Sequence, residues 1–86
     1  MQLDESERRA TDWLQSEDLA RRLSHMDMEA ADDALRSGLA ALDSRLELLG
    51  VGEKPRGVTR MIELSWRSGP DKAEHKSTIL LPATTP

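Results

Sequence analysis

The chain has 86 residues, a formal net charge of −4 and hydrophobic residues at 37% of its positions. This length suffices for one small domain with a thin core. The absence of cysteine excludes disulfide bonds, thiol chemistry and zinc sites that need cysteine ligands. No apolar run approaches the ~20 residues that span a bilayer, and the first residues lack the pattern of a signal peptide. We therefore expect a cytoplasmic protein without a membrane segment.

The first predicted element is a helix from about residue 6 to residue 24. Acidic residues precede it, where they suit the positive end of a helix dipole. Its apolar residues recur at helical spacings: Ala10, Trp13, Leu14, Ala20 and Leu23. Ser16 and the two acids after it resemble an internal cap, so a break into two pieces is allowed there. Ser24 and Asp27 can each cap the next helix.

The second predicted helix runs from about residue 28 to residue 49. Leucines along it follow a seven-residue repeat with four-then-three spacing, which is typical of an apolar seam between packed helices. The seam that we expect to mediate oligomer formation consists of Leu35, Leu39, Leu42, Leu46 and Leu49. Gly50 follows at the position where a helix cap is expected.

The remaining chain has the alternating pattern of strands. We predict a polar linker over residues 50–57, a β-hairpin over residues 58–81 and a flexible tail over residues 83–86. On the first strand of the hairpin, Ile62, Leu64 and Trp66 share one face, and Arg60 interrupts the apolar pattern. The predicted fold is thus a single α+β domain over residues 1–82, with two helices followed by an antiparallel hairpin.

An isolated hairpin is marginal in water, so its apolar face needs a cover. A single leucine seam is too narrow to pack against both the first helix and the hairpin. We therefore expect a homodimer, in which paired seams form a helical core or paired hairpins extend the sheet. The alternative is a monomer with the hairpin folded across the two helices.

Nothing in the sequence forms a pattern typical of catalysis or of cofactor binding. His25 and His75 are the two histidines, and neither has a second histidine at the spacing that a helical metal site needs. The carboxylates are placed as a solvated helix surface, whereas general acid–base work needs carboxylates that converge on a pocket. We predict a protein that is not an enzyme and that binds neither a metal ion nor a cofactor.

The leading hypothesis is a small protein-interaction module that acts as an adaptor, a chaperone-like subunit or an inhibitor. Tryptophan is enriched where binding energy is concentrated, so the expected partner-binding residues are Trp66, Ile62, Leu64 and Arg60. The alternative is a nucleic-acid-binding regulator, because a two-stranded ribbon can enter the major groove of DNA. The hairpin half of the chain contains the basic residues Lys54, Arg56, Arg60, Arg67, Lys72 and Lys76.

Overall fold

A computed structural model describes residues 4–57 and 59–82 of the chain. Three helices come first, α1 (Glu5–Leu14), α2 (Glu17–Leu23) and α3 (Met28–Leu42). Three strands follow, β1 (Glu47–Arg56), β2 (Thr59–Arg67) and β3 (His75–Leu81). The α+β prediction is therefore confirmed. The tail that we expected to be flexible, residues 83–86, lies outside the described residues.

Each helix begins at a side chain that accepts a hydrogen bond from an otherwise unpaired backbone N–H. Asp4 and Glu7 form a reciprocal capping box at α1. The Ser16 hydroxyl caps α2 by accepting from the Leu19 N–H, so the first predicted helix is broken at the expected internal cap. Of the two candidate caps, Asp27 begins α3 by accepting from the Ala30 N–H at 2.8 Å, whereas Ser24 ends α2.

The second predicted helix ends seven residues earlier than its leucine pattern indicated, at Leu42 instead of Leu49. Asp43 has an extended backbone, and its carboxylate accepts from the Arg45 N–H at 2.9 Å, which turns the chain away from the helix axis. The predicted linker over residues 50–57 is also wrong, because nearly all of it belongs to β1. Gly50 consequently lies within a strand and does not cap a helix.

The sheet is antiparallel with the order β1-β2-β3. Strands β2 and β3 form the predicted hairpin, in which Ile62 lies opposite Ile79. A bulge shifts the pairing of β1 with β2, so that Leu48 lies opposite Trp66 and Val51 opposite Leu64. Because β1 advances three residues while β2 advances two, Leu48 and Val51 face the same side of the sheet.

The three helices cover one face of this sheet. The Arg45 guanidinium after α3 lies 3.5 Å from the Ser6 hydroxyl of α1, so α1 and α2 together run antiparallel to α3. One apolar cluster joins the two layers: Ala10, Leu14, Leu19, Leu23, Ala31, Leu35, Leu39, Leu46, Leu48, Ile62, Leu64, Trp66, Ile79 and Leu81. In the part of the chain that the structure describes, no helix combines the length and the apolar character that crossing a membrane requires.

Candidate interaction surface

The apolar face of the hairpin, where we expected a partner to bind, lies in the core of the single chain. Ile62, Leu64 and Trp66 retain 0%, 3% and 1% of their accessible surface, because the helices of the same chain cover them. The Trp66 indole N–H donates to the Ser77 hydroxyl at 3.0 Å, and the indole stacks on the imidazole of His75. This face therefore does not offer a partner the exposed apolar surface that the sequence analysis assigned to it.

Arg60, the fourth expected partner-binding residue, is half-buried and joins β2 to the connection between α2 and α3. Its guanidinium donates to the Met26 carbonyl oxygen at 3.1 Å and forms an ion pair with Glu53 at 2.5 Å. Both interactions join parts of the same chain, so Arg60 holds the hairpin against its own helices.

The five leucines of the expected oligomer seam are divided among three parts of the chain. Leu35 and Leu39 are fully buried on α3, and Leu42 is partly buried at its end. Leu46 is buried in the connection to β1, whereas Leu49 lies within β1 and keeps 39% of its surface. A continuous helical seam is therefore absent from the described residues, and this prediction is corrected.

The basic residues of the hairpin region are largely balanced by acids. Residues 47–81 contain six basic and five acidic residues, a net charge of +1. Three of the basic side chains form ion pairs across the sheet: Lys54 with Glu63, Arg60 with Glu53 and Arg67 with Glu47. Such pairing weakens the positive potential that a nucleic acid backbone would meet.

An apolar groove lies on the solvent side of the helix layer, between α1–α2 and α3, and we call it the helix groove. Its volume is about 450 Å³. The residues that line it are Trp13, Leu19, Arg22, Leu23, Met26, Ala34, Ser37, Gly38, Ala41 and Leu42. Leu19 and Leu23 are buried, while Trp13, Met26 and Leu42 remain partly exposed. The helix groove therefore presents apolar side chains that the fold leaves incompletely covered.

The position of Trp13 in the helix groove depends on Gly38. A Cβ atom at Gly38 would lie 2.2 Å from Cη2 of Trp13, far inside van der Waals contact. The indole can approach the backbone of α3 so closely only because this position has no side chain. A glycine within an otherwise strong helical pattern is the signal that could have revealed this contact. The sequence interpretation followed the leucine repeat instead and predicted a seam.

The helix groove carries little charge of its own. Among its lining residues Arg22 alone is charged, although α1, α2 and α3 together contain eight acids and five bases. Arg22 is exposed and forms no ion pair with any described residue. An apolar surface with one such guanidinium suits a partner that brings apolar side chains and a carboxylate.

His75, at the start of β3, lies between α1 and the sheet. Its Nε2 atom contacts a carboxylate oxygen of Glu7, and its ring lies 4.7 Å from that of Trp66. The second oxygen of Glu7 accepts from the Asp4 N–H in the capping box. The contact between His75 and Glu7 therefore joins β3 to the capping box of α1. No group of three or more potential metal ligands occurs among residues 4–57 and 59–82.

Two carboxyl groups with a lowered pKa belong to a turn and to a helix cap. The Arg45 side chain and then its backbone N–H hold the pKa of Asp43 at about 2, well below its usual range. The backbone N–H of Glu7 lowers the pKa of Asp4 in the same manner. Hydrogen bonds to the ionised form cause both shifts, as structural caps require.

Comparison of the chain with protein-family models, with curated proteins and with solved structures found no match in any of the three. The functional inference therefore depends on the surface of the molecule itself.

Proposed function

We propose that the chain is a small, non-enzymatic protein-interaction module that binds its partner in the helix groove. It would serve as an adaptor, a chaperone-like subunit or an inhibitor in the cytoplasm. The observation that carries the proposal is the partly exposed Trp13, which lies against Gly38 at the wall of an apolar groove.

Two properties of the helix groove support binding of a protein segment. Tryptophan side chains in partly formed pockets are frequent centres of binding energy. Amphipathic helices commonly place their apolar face into a groove between two helices of a partner. With Arg22 at the rim, the favoured segment has apolar side chains at helical spacing and an acidic residue beside them.

A library of displayed peptides tests this proposal directly. Peptides selected on the wild-type chain should be amphipathic and should carry an acid beside the apolar face. Ala41→Glu places a carboxylate in the helix groove and should weaken binding of these peptides by about tenfold or more. Isothermal titration calorimetry measures this loss.

Ala40→Glu is the matched control. Ala40 and Ala41 are both exposed in the last turn of α3, but only Ala41 lines the helix groove. Ala40→Glu should therefore retain wild-type affinity while sharing any effect of an added acid at the end of the helix. Equal affinities of the two variants, or failure to select any amphipathic peptide, would refute the proposal.

The nucleic-acid-binding alternative receives less support. Residues 47–81 carry a net charge of only +1, and three of their basic side chains form ion pairs across the sheet. The ribbon of β2 and β3 is also covered on its apolar face. An electrophoretic shift with DNA or RNA at low salt, lost steeply as salt is added, would favour this alternative. The interaction module predicts no shift.

A further inference from the structure

We infer that a second copy of this chain occupies the helix groove, in a two-fold symmetric dimer whose axis runs along it. This inference rests on the proposed function, since it names the partner for the same surface. A two-fold axis along the groove exchanges its two sides, so that the α1–α2 side of one copy faces the α3 side of the other. Such an interface is isologous, and each contact occurs twice.

The side chains on the two sides of the helix groove differ in size, as this exchange requires. One side, the large wall, carries Trp13, Arg22 and Met26. The opposite side, the small wall, consists mainly of small residues, of which Ala34, Ser37 and Ala41 face a partner, whereas Gly38 is already covered by Trp13 of its own chain. Opposing the large wall of one copy to the small wall of the other places bulky side chains against small ones, which favours close packing.

The charges at the rim are also complementary under this exchange. Arg22 lies on the large wall, and Asp33 lies one helical turn before Ser37 of the small wall. Both side chains are exposed, and neither forms an ion pair within the described residues. The symmetry therefore brings Arg22 of each copy towards Asp33 of the other, which gives two ion pairs per dimer.

Charge complementarity matters here because each copy carries a net charge of −4. Two acidic chains repel one another unless their contact surface opposes positive to negative groups. The helix groove provides its positive group on one wall and its negative group beside the other. This arrangement favours a second copy over a partner without any matching acid.

A charge-swap experiment tests the inferred dimer. Sedimentation equilibrium of the wild-type chain at micromolar concentration should show a species of twice 9.6 kDa. Arg22→Glu opposes two acids and Asp33→Arg opposes two bases, so each single variant should dimerise about tenfold or more weakly. An equimolar mixture should recover the dimer, because the mixed pair restores both opposite-charge contacts.

The melting temperatures of the single variants serve as the folding control, since both substitutions are at exposed positions. If either variant unfolds, Arg22→Gln and Asp33→Asn replace the swap. Each should weaken the dimer, and mixing them should recover it only in part, because the mixed pair keeps one of the two Arg22–Asp33 contacts. A wild-type chain that sediments at 9.6 kDa, or a mixture that stays monomeric, overturns the inference. If peptide binding still depends on Ala41 in that case, only the second copy is rejected and the proposed function stands.

Discussion

Gly38 is the residue on which the position of Trp13 depends. Glycine in a helix usually costs up to about 1 kcal/mol relative to alanine, so Gly38→Ala alone should favour the helix. Here the new methyl group would collide with the indole, which must leave its place and lose its packing. We expect Gly38→Ala to destabilise the wild-type chain by roughly 1–3 kcal/mol, the usual cost of overpacking.

A double-mutant cycle separates these two effects. In a Trp13→Ala background the collision is removed, so Gly38→Ala should stabilise the chain by up to about 1 kcal/mol. Urea unfolding of the four proteins measures the change. The same sign in both backgrounds would mean that Trp13 does not lie against Gly38.

The low pKa of Asp43 predicts that the free energy of unfolding falls at acid pH. Its pKa in the folded chain is about 2, below the usual 3.8, because Arg45 binds the ionised carboxylate. The ionised form therefore stabilises the fold above about pH 4, and this contribution is lost as the pH falls towards 2. In Asp43→Asn the free energy of unfolding should decline less over this interval, as urea unfolding at a series of pH values would show. Asp12→Asn, an exposed change on α1, is the control and should leave the wild-type decline in place.

The end of α3 shows why the leucine pattern misled the sequence interpretation. Leu42, Leu46 and Leu49 are spaced by four and three residues, which is equally the spacing of a continuing helix. The bulge in β1 interrupts the alternation of inward-facing and outward-facing side chains. The inward residues Leu46, Leu48 and Val51 therefore do not follow a simple period of two. Two glycines in the same segment further favoured a linker, since glycine is depleted in strands.

Leu46 and Leu49 distinguish the strand from the helical seam by experiment. Leu46 keeps 4% of its surface, so Leu46→Ala should cost about 2–4 kcal/mol of stability. Leu49 keeps 39%, so Leu49→Ala should cost less than about 1 kcal/mol. A continuous seam would instead make the two substitutions comparably costly. Thermal or chemical unfolding measures both.

The chain covers the apolar face of its sheet with its own helices, whereas the leading sequence interpretation expected a partner to do so. That interpretation assigned one narrow seam to a two-stranded hairpin. The molecule instead uses a third strand and the full width of three helices, and Trp66 and Ile62 lie between the layers. The α+β class, the helix caps and the hairpin could be predicted because local spacing and turn residues determine them.

The helix groove was beyond prediction for a related reason. It arises between α1–α2 and α3, where Trp13, Met26 and Leu42 stay partly exposed, and that gap depends on tertiary packing and not on any local pattern. Composition already showed that each tryptophan matters in a chain with only two aromatic residues. Which of the two tryptophans is exposed depends on which face of its helix or strand packs into the core.

The two tryptophans provide the most direct test of where a partner binds. Each indole N–H gives its own NMR resonance, one from Trp13 in the helix groove and one from Trp66 in the core. On addition of a selected amphipathic peptide, the Trp13 resonance should move and the Trp66 resonance should stay in place. A peptide that binds and moves Trp66 while leaving Trp13 unchanged would contradict binding in the helix groove.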